Sequence, residues 1–549
     1  MRTLALFALA CAGLLGPLFP SAVTATPNGG SRAVATESAE ATRAALGILR
    51  SGGNAIDAAI AAALVAGVAT PASSGLGGGG FAVVWSVKEA KVVALDFRES
   101  APRAFDVEAF ERRPLPPAER GKAVGVPGEA KGLYELHARF GKLPWADLVK
   151  PAIGVAKAGF VVSPHLARTI AANVAKIAPE TALLDLFAPG GKPDAAGTRV
   201  KNPRLARTLE RVAAEGPRSI YEGPIAAELV SAVARTGGAL SQADLDAYRP
   251  VERVPLHVTF EGKDVYTMPL PSAGGFLLAE TLGSVTREDL TNLGFGTSGY
   301  VHWIAEIFRG AFADRLRLAG DPAFEHVDLS ALLDPKRLAE RRRARSLQST
   351  LPMEAIPVEE HGTHHLVVAD ELGNVVSLTT TVNNAFGAKL VATESGIVLN
   401  DQLDDFTARA GVERFGLRES PNRARSLARP VSSMTPTLVF QDGKPLLAAG
   451  GSGGLGISVS VTEVLLARLV FGMPEAAAIA APGFGIPLKD GTISLDSDAP
   501  PGLWKSLERR GETVVLRTMP HAVQLVSFDA QGRKRAFADA RKSGSAAVE

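Results

Sequence analysis

The run Glu359 to Phe406, EEHGTHHLVVADELGNVVSLTTTVNNAFGAKLVATESGIVLNDQLDDF, decides how the rest of the chain is read. Thr363 stands at the head of a strand-like segment, His364 to Ala369. Gly373-Asn374 is a turn signal, and the β-branched run Val375 to Val382 predicts the returning strand of a hairpin. A threonine in such a place is ordinarily a strand residue. It gains a second use if the chain is cut before it. A hydroxyl needs a base before it can attack a carbonyl, and one solution is a threonine with its own N-terminal amine. Gly362 suits such a cut, because a small residue leaves its carbonyl within reach of the Thr363 hydroxyl. The preceding segment, Ser346 to Gly362, has two prolines and no periodicity and reads as a mobile connector, where new chain ends could separate.

Working outward, the spaced residues form a longer pattern. It comprises Thr363-x-His365, Asp370-x-x-Gly373-Asn374, Thr381-x-Asn383, Ser395-Gly396-Ile397-x-Leu399-Asn400, then Gln402 and Asp404-Asp405-Phe406. Upstream stand Gly52-Gly53-Asn54-Ala55-Ile56-Asp57, Ser73-Ser74-Gly75-Leu76-Gly77-Gly78-Gly79 and Asp96-Phe97-Arg98-Glu99-Ser100-Ala101-Pro102. Downstream stand Arg429-Pro430-Val431-Ser432-Ser433-Met434-Thr435-Pro436-Thr437 and the glycine run from Gly450. In this order they resemble the γ-glutamyltranspeptidase family of N-terminal nucleophile hydrolases, over nearly the whole chain beyond residue 25.

The resemblance implies an α/β (α+β) fold, a four-layer αββα sandwich with a largely helical extension in a large subunit. It implies a precursor cut at Gly362-Thr363 into a large subunit, 26–362, and a small catalytic subunit, 363–549. Thr363 would be the nucleophile, its freed amine the base, and Thr381 the residue that orients it. Gly453 and Gly454 would hold the oxyanion. Arg98, Ser432 and Ser433 would hold the α-carboxylate of a glutamyl donor, and Asn383, Gln402 and Asp405 its α-amino group. The implied donor is a γ-glutamyl amide such as glutathione, and the acceptor is water, an amino acid or a peptide. No cofactor and no metal are implied. Two positions depart from the family pattern: His364, where a small residue is usual, and Leu455-Gly456, where Ser-Arg is frequent. Neither is expected to touch the chemistry. Ala410 to Leu417 resembles a lidded form of the family, with Phe415 where a tyrosine is common. The alternatives are a cephalosporin-type acylase or other amidase on the same scaffold, and a non-catalytic secreted relative.

Composition agrees with a globular protein: 46% of residues are apolar, 21% are charged and the net charge is +2. That near-neutral balance gives no bulk electrostatic case for nucleic acid. The basic run Lys336 to Arg345 reads as a solvated helix face. Residues 1 to 25 look like a secretory signal: Arg2, an apolar Leu4 to Leu18, and Val23-Thr24-Ala25 at the cleavage position. The expected location is periplasmic or secreted. The single cysteine, Cys11, lies inside that signal, so no disulfide is expected in the mature protein. The Ala-rich stretch Ala55 to Ala69 is shorter than the ~20 apolar residues a membrane span needs.

Ala39 to Arg50 has helical periodicity and stops at Gly52-Gly53; Asn54 can cap a second helix that is apolar nearly all round and so should be buried. The glycines from Gly75 to Gly80 lack the Lys-Ser/Thr of a nucleotide loop and read as tight backbone packing. Phe81 to Val87 and Val92 to Phe97 alternate as paired strands that end at Arg98, beside Glu99. Gly128 to Arg345 is mostly helical, interrupted by strand-like runs over Val254 to Met268; His137, His165 and His302 read as structural there. Thr407 to Leu427 is a long Arg-rich loop, and Leu438 to Leu447 a hairpin around Asp442-Gly443. Gly451, Gly453 and Gly456 satisfy G-x-G-x-x-G, but no parallel strand with an acidic end follows, so a dinucleotide site is rejected. The same arrangement of N–H groups at a helix start can hold an oxyanion. His364 and His365 are adjacent on a strand and should point to opposite faces, which argues against a shared metal.

Overall fold

The strands of the chain alternate in two registers of burial, and that alternation sets the layers. A computed structural model describes residues 23–549 apart from 27, 113, 178–179, 351–360, 414–416 and 486–491. Its centre is a pair of seven-stranded antiparallel sheets. In chain order the strands are β1 (Val23–Ala25), β2 (Ala33–Thr36), β3 (Gly79–Ser86), β4 (Lys91–Phe97), β5 (Val251–Arg253), β6 (Leu256–Phe260) and β7 (Lys263–Thr267). They continue with β8 (His361–Ala369), β9 (Val375–Asn384), β10 (Thr437–Gln441), β11 (Lys444–Ser452), β12 (Ala522–Phe528), β13 (Lys534–Asp539) and β14 (Ser545–Val548). The first sheet runs β14-β2-β8-β9-β3-β4-β5 and the second β1-β13-β12-β11-β10-β7-β6.

Successive side chains of a strand face opposite ways. In β8, Leu366 and Val368 enter one core with the helices α1 (Ala39–Arg50) and α2 (Ala55–Ala69). Val367 and Ala369 enter the other, with the second sheet and the helices α3 (Ala273–Gly283), α4 (Ser298–Leu318) and α5 (Gly456–Leu469). Helices, sheet, sheet and helices therefore stack as the four layers expected. Between β4 and β5 the chain is largely helical, from Val107–Glu111 to Gln242–Ala247.

Local chemistry explains the central pieces. Asn54 and Asp57 form a capping box at the start of α2, and all 15 residues of that helix are buried. Asp57 also accepts from the backbone N–H of Lys142 and Leu143, and Asp370 accepts from the N–H of Ala55. These bonds fix α2 against its neighbours and against the β8–β9 turn. The glycine run entering β3 is packing, as read: a Cβ on Gly78 would lie 2.1 Å from the Thr381 carbonyl oxygen. No helix of the described residues is long and apolar enough to cross a membrane.

One expectation needs correction. The basic helix Pro335–Arg343 is not simply a solvated face. Arg337 and Arg341 turn inward onto the buried carboxylate of Glu280 of α3 and the half-buried one of Asp314 of α4, which are stabilised by cationic partners. Val23–Ala25, read as a cleavage position, forms an edge strand paired with Phe537 to Asp539. Residues 1–22, most of the connector and Phe415 lie outside the described residues.

Candidate active site

β8 runs unbroken through His361, Gly362 and Thr363, so the structure is that of the uncut chain. A register shift falls between Gly362 and Thr363: Gly362 faces Asn383 and Thr363 faces Thr381, which leaves Val382 as the bulged residue. Bulges re-aim side chains, often beside active sites. Asn383 takes φ 75° here, a conformation Asn tolerates better than most residues. Glycine is required at 362, because a Cβ there would stand 2.1 Å from the Ala72 carbonyl oxygen.

The Thr381 hydroxyl is the junction of this bulge. It donates to the Gly362 carbonyl at 2.7 Å and accepts from the N–H of Asn383 at 2.9 Å. The Thr363 hydroxyl lies 3.3 Å from it. Since Thr381 gives its proton to Gly362, Thr363 is the donor in that contact. The next two side chains diverge. His364 points toward Thr70 on the helical side, while His365 bonds Thr379 at 2.8 Å and Ser377 at 3.3 Å and packs over Gly450 between the sheets. Burial holds both imidazoles neutral, each with its pKa pulled down to about 3.

Thr363 opens into a small pocket. Thr381, Asn383, Gln402, Asp405, Arg98, Ser432, Ser433 and Gly454 line it as well, so sequence reading assembled nine of its ten site residues around one space. Gly453 is the exception. It is not among the pocket's lining residues; its φ is 123°, and a Cβ on it would meet the Cα of His521 at 2.5 Å. Gly454, with φ 62°, follows it just before α5 begins, so the helix N-terminus faces the nucleophile's pocket. Leu455 also lines the pocket, contrary to the expectation that this departure would stay clear of the chemistry.

Arg98 does not pair with its neighbour Glu99. It is 1% exposed and reaches across the pocket, with Nη2 on Asp405 at 2.5 Å and Nε on the Pro430 carbonyl at 3.1 Å. Gln402 donates to the same Asp405 oxygen at 2.9 Å, which leaves the other oxygen open to the pocket's contents. Asn383 donates its amide to the Asp401 carbonyl at 3.0 Å. Ser432 accepts from the N–H of Met434 at 3.1 Å, and the buried Ser433 hydroxyl has no partner. Burial, opposed by Arg98, pushes the Glu99 carboxyl up to about 8.

Two residues that sequence reading passed over belong to this site. Asn422 donates to the Asp405 carbonyl at 2.7 Å and accepts from the N–H of Val431 at 2.8 Å, tying the Asp405 and Ser432 segments together. Arg315, from the last turn of α4, lines the pocket directly. Neither lay in a stretch with a motif; Arg315 sits on an amphipathic helix among other arginines.

The chain is similar to known proteins over most of its length. The family model Gamma-glutamyltranspeptidase matches residues 41–549. The chain is 33% identical over 522 residues to the glutathione hydrolase proenzyme of Escherichia coli (strain K12), covering 92% of this chain and 90% of that one. It is 38% identical over 475 residues to the glutathione hydrolase proenzyme of Pseudomonas aeruginosa, covering 84% and 83%. Among solved structures, the cephalosporin acylase from Bacillus halodurans superposes with a TM-score of 0.86 at 26% identity, over 99% of both chains.

Proposed function

The chain belongs to the γ-glutamyltranspeptidase family, and from that membership we propose that it is a self-processing γ-glutamyltransferase and glutathione hydrolase. The observation that carries the reading is the junction of Thr363 with a pocket that offers both signs of charge, Arg98 and Asp405. In the precursor, Thr363 Oγ attacks the Gly362 carbonyl while the Thr381 hydroxyl supports the developing oxyanion. The C–N bond breaks, the nitrogen takes the proton, and an ester links Gly362 to Thr363. Water hydrolyses that ester and leaves Thr363 with a free amine and a free hydroxyl.

The amine then serves as base, since an α-amino group titrates at about 7.7–8.0, close to working pH. It takes the hydroxyl proton as Thr363 Oγ attacks the γ-carbonyl of the donor. Backbone N–H groups of Gly453 and Gly454 hold the oxyanion. The departing amine collects the proton, and the glutamyl ester passes to water or to an amino acid or peptide. Arg98, Ser432 and Ser433 hold the donor's α-carboxylate; the open oxygen of Asp405, with Asn383 and Gln402, holds its α-ammonium. An acidic partner for an ammonium favours a glutamyl over a glutaryl group, which is the argument against the acylase reading. Residues 1–25 would direct export to the periplasm or beyond.

Two measurements test this. A denaturing gel of the purified protein should show two fragments, the smaller beginning Thr-His-His-Leu, and Thr363→Ala should stay whole. A wild type that remains uncut yet active would sink the nucleophile assignment. Turnover of γ-glutamyl anilide should exceed that of glutaryl anilide; equal rates favour the acylase.

A further inference from the structure

Arg315 is the one charged group of the pocket that this mechanism leaves idle. Its Nε is buried with no hydrogen-bond partner, and among the described residues it forms no ion pair. The charges it feels are Asp405, which attracts it, and Arg98, which repels it. Burial pulls its pKa down only to about 10, so it stays charged at neutral pH. A buried donor without an acceptor is costly and asks for an explanation.

The occupancy of Arg98 supplies one. A guanidinium grips a carboxylate best through two parallel N–H groups. Arg98 has already committed Nε to Pro430 and one Nη2 hydrogen to Asp405, so its Nε–Nη2 fork is occupied and a ligand meets the Nη1 end. Two guanidinia and one carboxylate line the wall, so once Asp405 faces an ammonium both guanidinia are left to a carboxylate. We propose that Arg315 is a specificity-determining residue: with the free end of Arg98 it forms a two-guanidinium clamp for the carboxylate of the acyl donor. The identity of the donor rests on the glutamyl reading above; the clamp itself asks only for a carboxylate.

The test uses the mature protein and two readouts. In steady state, Arg315→Met should raise KM for γ-glutamyl anilide by about 10- to 100-fold with kcat little changed, because the group binds ground and transition states alike. For the donor with its α-carboxylate amidated the same variant should change KM far less, and Arg315→Lys should recover part of the loss. In thermal unfolding, L-glutamate and glutarate should raise Tm in the wild type and not in Arg315→Met. An unchanged KM for the acid donor, or an equal rise for acid and amide donors, overturns the clamp. So does a wild type that no carboxylate stabilises. If Arg315→Met fails to fold, Arg315→Lys, which keeps the charge and loses the fork, must show the same split between donors. A wild type that turns over no γ-glutamyl anilide, yet is stabilised by glutarate through Arg315, sinks the glutamyl reading and leaves the clamp standing.

Discussion

At Thr381 one hydroxyl serves the nucleophile, the scissile carbonyl and a backbone amide together. Thr381→Ala should slow self-cleavage by about 10²-fold, the scale of losing one oxyanion donor, while Thr381→Ser should stay near the wild type. The time course of fragment appearance checks this, and a wild-type rate in Thr381→Ala would remove the role. The Arg98–Asp405 pair makes a second residue-scale prediction. Each group is the other's partner across the pocket, so Arg98→Ala or Asp405→Ala alone should cost roughly 2–5 kcal/mol in kcat/KM on γ-glutamyl anilide. The double variant should cost little more than either; fully additive losses would refute the coupling. Residue types at the site were legible because Thr363, Arg98 and Asp405 stand in spaced motifs. Arg315 and Asn422 were not, since what recruits them is the meeting of α4 with the loop before Val431, a contact between segments distant in sequence.

At the scale of elements, legibility followed how local the signal was. The end of α1 and the start of α2 are announced by Gly52 and Asn54, and the β8–β9 and β10–β11 hairpins by Gly373 and Asp442-Gly443. The basic helix misled because the acids that turn it inward come from α3 and α4. The helix Glu129–Phe140 carries a testable burden at its first residue. Glu129 is buried, with one oxygen on the N–H of Gly75 at 3.3 Å and the other unpartnered, and burial raises its pKa to about 8. The folded protein therefore holds this carboxyl protonated while the unfolded chain ionises it near 4.5. Its cost is absent below that value and grows as pH rises to about 8, by up to about 1.4 kcal/mol per unit. Glu129→Gln keeps the shape and cannot ionise, so it should raise Tm at pH 8 clearly more than at pH 5. Calorimetry at the two pH values decides; a gain as large at pH 5 speaks against a protonated Glu129.

Over the whole molecule, the proposed cut leaves two fragments that share both sheets. In the first, β2 of the large fragment lies between β14 and β8 of the small one, and β9 is paired with β3. In the second, β10 to β13 of the small fragment continue the sheet from β6 and β7 of the large one, with β10 paired to β7. The cut fragments should therefore migrate as one species in gel filtration and separate only where the whole fold unfolds. Separation at lower denaturant would contradict the interleaving. The β14–β2 pairing reaches further. Arg32 and Glu549 exchange two backbone hydrogen bonds, N–H of Arg32 to Glu549 O at 2.8 Å and the reverse at 3.0 Å. That is the closing pair of a hairpin, so an Asn-Gly turn could join Glu549 to Arg32 without bending either strand. A circular permutant running 363–549, Asn-Gly, 32–362 would place Thr363 directly after the initiating methionine, whose removal bares the amine. The ribosome would then deliver what the precursor makes by breaking its own backbone. Such a chain should hydrolyse γ-glutamyl anilide as a single uncut polypeptide, with Gly362 as its last residue.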